Sequence, residues 1–324
     1  MKPATSEYGR PIPFRLGSGI QGMRKTKLVP FNIASVALCL LLAGQGTSRA
    51  DTLYASSIST YSIYSVDPAG SATFFSNTGL NYPTGLAFDQ SGYLYAASAN
   101  GSDIMKYDSL GNATVFSSPG FGLTAMAFDS AGNLYAADHS NSLILKFNPA
   151  GVGSLFANTG LNDPMGMAFD ASGNLYVANR GSNTIEKFNS LGAPTLFAST
   201  GLNQPAGLAF DIAGNLYAAN QVGGTVEKFN TLGAGTPFGT GLGTPDEIAF
   251  DSAGNLYAAD ETAGAIMKFS SLGGGASVFS TGAGYPFGLA FQQVPEPSSW
   301  SLSAIGLMAL FGARSLGRRR MPIP

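Results

Sequence analysis

The sequence predicts an all-β fold, a six-bladed β-propeller of four-stranded antiparallel blades, and three observations predict it. A single unit recurs, marked by a phenylalanine at Phe88, Phe128, Phe169, Phe210, Phe250 and Phe291, at spacings of 40 or 41 residues. Repeats of this length belong to stacked or radially arranged supersecondary units. The composition favours short strands over helices, with 43 glycines, 11% charged residues and 11% aromatics; exposed helix faces need more Glu, Lys and Arg than this. The phase of the repeat then closes the ring, since the chain enters at a second strand and stops after a first strand.

Within each unit the chain reads Pro-x-Gly-Leu-Ala-Phe-Asp-x-x-Gly-Asn-Leu-Tyr-Ala-Ala-Asn/Asp, a short loop, Ile-x-Lys-Phe, a glycine turn and Thr-x-Phe. Four apolar stretches separated by Gly, Asn, Asp or Pro turns are the strand content of one blade. Asp-x-x-Gly-Asn, as in Asp170 to Asn174, reads as the hairpin between the first two strands, with Asp accepting turn N–H bonds and Gly taking the positive φ. Phe169, Tyr176, Phe188 and Phe197 and their equivalents are expected to fill the spaces between blades.

The repeat opens at a second strand, Leu53-Tyr54-Ala55, and stops after a first strand, Gly288 to Phe291. Pairing those two pieces completes a sixth blade from the N- and C-terminal strands and removes exposed sheet edges. A parallel β-solenoid is the alternative, but its repeats are typically shorter.

The two ends outside the repeat read as addresses. Arg24, Lys25 and Lys27 precede an apolar run from Leu28 to Gly44, and Ser48 and Ala50 form a small-x-Ala site. That is a signal peptide at 23–50, handled by the export machinery and cleaved between Ala50 and Asp51. Residues 1–22 look like neither signal nor domain, so Met23 is the expected start. The single cysteine, Cys39, falls in this leader, which leaves the exported part without a thiol or disulfide. The propeller is placed at 51–293. After it, 294–324 holds Pro295-Glu296-Pro297, an apolar stretch from Ser301 to Ala313, and Arg318, Arg319 and Arg320. A helix from Trp300 to Gly317 is long enough to span a bilayer, with the arginines on the cytoplasmic side.

Charge is segregated. Between Asp51 and Gln293 there are six basic residues against seventeen acidic ones, a balance that repels phosphate backbones and excludes nucleic acid as a partner.

The C-terminal arrangement resembles the PEP-CTERM sorting signal of Gram-negative bacteria. The resemblance implies recognition by an exosortase-type sorting enzyme, transient anchoring in the inner membrane and delivery to the cell surface or exopolysaccharide matrix. The repeat itself, carried by Pro164-x-Gly166, Ala168-Phe169-Asp170, Gly173 to Tyr176 and Ala178-Asn179, resembles NHL-type repeats and is similar to the gluconolactonase-like six-bladed group. The His-Arg pair of the NHL signature is missing from the loops after Asp138 and Asn179.

Lactonases of that group are expected to hold a metal on a glutamate near the start of the propeller with an Asn and an Asp from other blades. Here the first glutamate after the leader is Glu186. The chain's one histidine, His139, sits in an inter-strand loop, and the serines are read as turn residues, so no nucleophilic constellation is expected. The sharpest departure from the repeat is Pro245-Asp246-Glu247, where the units at Pro83, Pro164, Pro205 and Pro286 have Pro-x-Gly. Two carboxylates at a channel mouth could hold a divalent cation such as calcium, helped by Asn179, Asn220 or Asp260.

These readings predict an exported, noncatalytic binding or scaffold protein, with matrix polysaccharide or surface proteins as partners. The second reading is a metal-dependent lactonase or hydrolase centred on Asp246 and Glu247. A third is carbohydrate binding.

Overall fold

The computed structural model describes residues 51–120 and 122–292. The leader with Ala50, the sorting motif at Pro295, Glu296 and Pro297, and the Arg318, Arg319 and Arg320 cluster lie outside the described residues. The described chain forms six antiparallel sheets, five of them consecutive in sequence at 83–117, 123–157, 164–198, 205–240 and 245–280. In the sixth, the strand Pro286–Gln292 pairs with Thr52–Ser57, which continues into Ser62–Val66 and Ala72–Ser76. The register Leu53↔Phe291 joins the two incomplete repeats as the sequence phase requires. First strands of successive blades neighbour one another in a closed cycle, so they line the axis of the ring.

The inter-blade packing is an aromatic ladder. Tyr176 lies 4.9 Å from Phe197 of its own blade and 5.0 Å from Phe210 of the next, both edge-on. Tyr135 makes the same pair of contacts with Phe156 and Phe169, and Tyr257 closes the ladder against Phe279 and Phe291. Edge-to-face pairs add about 0.5–1.5 kcal/mol to the gain from burial. Phe147, Phe188 and Phe229 on the third strands, and Phe269 just after the third strand Ala265–Lys268, close the core and are fully buried.

The hairpin between first and second strands follows its sequence reading. Asp170 Oδ1 accepts N–H bonds from Ser172 and Asn174, each at 2.9 Å, its Oδ2 accepts from Asn174 Nδ2 at 2.8 Å, and Gly173 has φ of 80°. These bonds hold the Asp170 carboxyl below the usual range against the opposing effect of partial burial. Lys187 then lies 5.1 Å from the Tyr176 ring and 3.5 Å from Asp170, and its equivalents Lys106, Lys146 and Lys228 repeat both contacts.

One element departs from the repeat. Gly274–Gly275 adds a short parallel strand to the outer edge of the preceding blade, pairing with Gly239 and Thr240. The glycine run 273–275 carries no side chains to oppose that approach.

Candidate site at the channel mouth

At one end of the channel every inner strand begins with a bulge. Pairing with the second strand shifts register between Pro83 and Leu86, Leu123 and Met126, Pro164 and Gly166, Pro205 and Leu208, and Pro245 and Ile248. Bulges bend a strand and re-aim its side chains. The ring is tight at this level: a Cβ on Gly166 would collide with the Ala206 carbonyl, and one on Gly288 with that of Thr84. The glycine of Pro-x-Gly is therefore a close-approach residue. Thr84 Oγ1 adds a bond to the neighbouring blade, donating to the Leu123 carbonyl at 2.8 Å.

Asn179, Asn220 and Asp260, each the last residue of a second strand, staple the connection that leads into their own blade. Asn179 Oδ1 accepts from Asn162 N at 3.1 Å while its Nδ2 donates to the Gly160 carbonyl at 2.9 Å. Asn220 repeats this with Asn203 and Gly201. Asp260 accepts from Gly243 N at 2.7 Å and Thr244 N at 3.0 Å. Three of the five residues expected around a cation thus have their oxygens committed to backbone N–H groups.

One residue further along, the six blades carry Ile58, Ala99, His139, Arg180, Gln221 and Glu261. Each backbone N–H does the same work, donating at 2.9–3.1 Å to the carbonyl of the residue before an inner strand: Tyr285, Tyr82, Gly122, Asp163, Gln204 and Thr244. The backbone is invariant here and the side chains are all different. Tyr82, Asp163 and Gln204 sit at φ of 60°, 55° and 52°, a conformation that non-glycine residues adopt at some cost.

These side chains divide the mouth into two sectors. In one, Arg180 Nε donates to Asp163 Oδ2 at 2.7 Å, and His139 lies between Asp163 and a serine, its Nδ1 3.5 Å from Asp163 Oδ1 and its Nε2 3.2 Å from Ser140 Oγ, which corrects the expectation that the serines stand apart from the histidine and an acid. In the other, Gln221 Nε2 donates to Asp246 Oδ1 at 2.6 Å. Asp246 is 3% exposed, and its Oδ2 has no hydrogen-bond partner. Burial pushes its carboxyl up to about 8; the Gln221 bond and Arg180 pull it down, while Glu261 and Asp260 add to the rise. Glu247 is also pushed up to about 8, chiefly by burial and further by Asp246. It is partly exposed, and its Oε1 accepts from Ile248 N at 3.2 Å.

Tyr82 stands directly before an inner strand at the mouth, its carbonyl accepting from Ala99 N at 2.9 Å. Partial burial and the charges of Glu261 and Asp246, with Tyr61 beside it, raise its phenol above the ordinary value. Tyr61 and Tyr285 are about half exposed, and Tyr285 lies against the Glu261–Gly264 turn, its ring 3.6 Å from a Cβ built on Gly264. Sequence reasoning missed the three tyrosines and placed His139 in an ordinary loop. The signal was there, since each stands where the repeat carries other residues, but only the ring brings those departures together.

As a cation site, the described residues supply two adjacent carboxylates. Among them no group of three or more His, Cys, Asp or Glu gathers as a ligand set, short of the six to eight oxygens calcium takes unless water supplies the rest. Glu186 sits on the third strand Thr184–Phe188, two strands out from the channel.

With this geometry in place, the chain belongs by fold to the six-bladed propellers. Solved structures similar in fold include a nidogen/laminin complex, at 20% identity and a TM-score of 0.66 over 75% of this chain and 98% of that one. A gluconolactonase from Xanthomonas campestris matches at 21% identity and a TM-score of 0.56, over 64% and 79% of the two chains. A streptogramin B lyase matches at 13% identity and a TM-score of 0.53, over 76% and 74%. At these identities the likeness is one of fold. Residues 293–320 match the PEP-CTERM protein-sorting motif, which implies an exported protein handled by an exosortase-type system. No curated protein sequence matches the chain.

Proposed function

We propose that this chain is a noncatalytic binding protein, exported and sorted to the cell surface or exopolysaccharide matrix, whose propeller presents the channel mouth to its partner. The observation that carries the reading is the polarity of the ring. Asp51 accepts from Ser252 N in a turn between first and second strands, and the last inner strand runs from Pro286 at the mouth to Gln292 at the far end. Both ends of the propeller thus leave from the face opposite the mouth, and a sorting tail beginning at residue 293 tethers that opposite face. The mouth is left outward, and it is the place where an otherwise uniform repeat becomes diverse.

Retention of the full-length protein on isolated matrix polysaccharide and outer-surface fractions tests this. Arg180→Ala combined with Glu261→Ala should abolish retention, while Leu191→Ser on the opposite rim should leave it intact. Equal retention of all three proteins, or turnover of lactones or esters, overturns the reading.

A second reading, a metal-dependent lactonase or hydrolase at Asp246 and Glu247, draws support from the unpartnered Asp246 Oδ2 and from the gluconolactonase likeness in fold. Stoichiometric metal in the purified protein, lost in Glu247→Gln together with lactone turnover, would favour it over binding.

A further inference from the structure

We propose that the foot of the ring docks on the lipid bilayer that holds the sorting tail, through exposed leucines at the tips of its outer turns: Leu110, Leu191, Leu232 and Leu272. This rests on the tail leaving from the foot and is independent of what the mouth binds.

One kind of turn joins the first strand to the second and the third to the fourth, both at the foot. In the outer turn, Asn189 Oδ1 accepts from Leu191 N at 2.9 Å and from Ala193 N at 3.1 Å, and Gly192 has φ of 79°. Asp170, Ser172, Gly173 and Asn174 make the same bonds in the inner turn, with φ of 80° at Gly173. The backbone asks the same of both. Yet the third position is Ser91, Ala131, Ser172, Ala213 and Ala253 in the inner turns, and leucine in four of the six outer ones. Turn chemistry does not call for leucine there, and neither does packing. Leu110, Leu191, Leu232 and Leu272 are 82% exposed or more. Ile212, the other large apolar side chain among the described residues left so open, stands in an inner turn of the same face. Single exposed leucines are ordinary, but four at equivalent positions on one rim form a contact surface.

The rim is stiff and, over three successive blades, uncharged. A Cβ on Gly192, Gly233 or Gly273 would overlap the carbonyl of Phe156, Phe197 or Phe238 on the preceding blade, so each leucine tip is wedged against its neighbour. The turns at 189–193, 230–234 and 270–274 contain no charged residue, and their entry among lipid headgroups strands no charge. Lys106, Lys146, Lys187 and Lys228 each lie 3.5–3.6 Å from an Asp, which leaves leucine rather than free cation as the main offering of this face.

The tail names what covers the rim. The strand Pro286–Gln292 ends at the foot, on the blade between those that carry Leu272 and Leu110, and the sorting motif begins at residue 293. Residues 293–299 alone separate the strand from the expected membrane span at Trp300, a reach of at most about 25 Å. So short a tether keeps the foot at the bilayer surface and makes docking an intramolecular step, for which the modest apolar gain of a few leucines is enough. A soluble partner has no such advantage.

The test uses full-length protein reconstituted in vesicles of phosphatidylethanolamine and phosphatidylglycerol, in a Cys39→Ser background, with a fluorophore on Thr231→Cys beside Leu232 or on Ser182→Cys at the mouth. Lipids spin-labelled near the headgroup should quench the first probe and spare the second, at low and high salt alike. Leu191→Ser combined with Leu272→Ser should lower the docked-to-free ratio at least about tenfold, Leu191→Met with Leu272→Met should preserve it, and thermal melting should be unchanged in both. Equal quenching of the two probes overturns the proposal, since the ring then swings free on its tether. Quenching lost at high salt overturns it in favour of the lysines. A Thr231 probe shielded in detergent, increasingly with protein concentration, overturns it in favour of a second copy. Matrix retention should survive the double serine variant; its dependence on Arg180 and Glu261 tests the mouth separately, so either reading can fail without the other.

Discussion

The two faces of the ring are made from the same repeat and treat it in opposite ways. At the foot of the blades the sequence is nearly constant: an Asp closes its own hairpin, a Lys lies over a Tyr, and the arrangement recurs in blade after blade. At the mouth only the backbone is constant, while Ile58, Ala99, His139, Arg180, Gln221 and Glu261 occupy equivalent positions. Where six equivalent sites share one stabilising task, one good solution serves them all. The proposed binding of a single asymmetric ligand at the mouth would set six different demands there.

That contrast can be broken at its ends. The largest effect is expected in the uniform part: Phe188→Ala empties a fully buried aromatic site and should cost about 3–5 kcal/mol, read as a lowered denaturation midpoint, with matrix retention unchanged where the protein remains folded. A smaller effect that depends on pH is expected at Asp246. Its folded carboxyl titrates at about 8 against 3.8 for the free group, so the folded state holds that proton more tightly than the unfolded state. The stabilisation this gives is complete below about pH 4 and is lost as pH rises through 8. Asp246→Asn should therefore match the parent protein's melting temperature near pH 4 and exceed it increasingly toward pH 9. Glu247 retains part of the same slope in the variant. A variant that melts lower than the parent at pH 9 would show Asp246 to be paired in solution. The smallest effect on stability is expected at Arg180, whose pair with Asp163 is about a third exposed. Arg180→Ala should change unfolding free energy by about 1 kcal/mol or less, and a larger loss would place this sector of the mouth with the structural half of the ring.

The fold was legible because its determinants are local and repeated. Phe169, Tyr176, Phe188 and Phe197 recur at fixed offsets, so their role as blade-to-blade packing could be read from spacing alone. The Asp170 to Asn174 turn carries its own chemistry within five residues. The short Gly274–Gly275 strand was not legible, because it depends on where the neighbouring blade's outer edge lies. Asn179, Asn220 and Asp260 looked like oxygen donors for a cation because residue type shows that an oxygen exists and says nothing of what already uses it. Each turned out to hold a connecting segment 16 to 19 residues away in sequence.

The sequence by itself determined the number of blades, the closure of the ring and the sorting signal after it, since periodicity, phase and a contiguous motif survive without three dimensions. Only the tertiary structure decided which departures from the repeat are neighbours. Ile58, Ala99, His139, Arg180, Gln221 and Glu261 span more than two hundred residues, and they come to one mouth because their backbones pair with the starts of six neighbouring inner strands. The structure also decided which face the mouth turns away from, because strand direction fixes where both chain ends emerge.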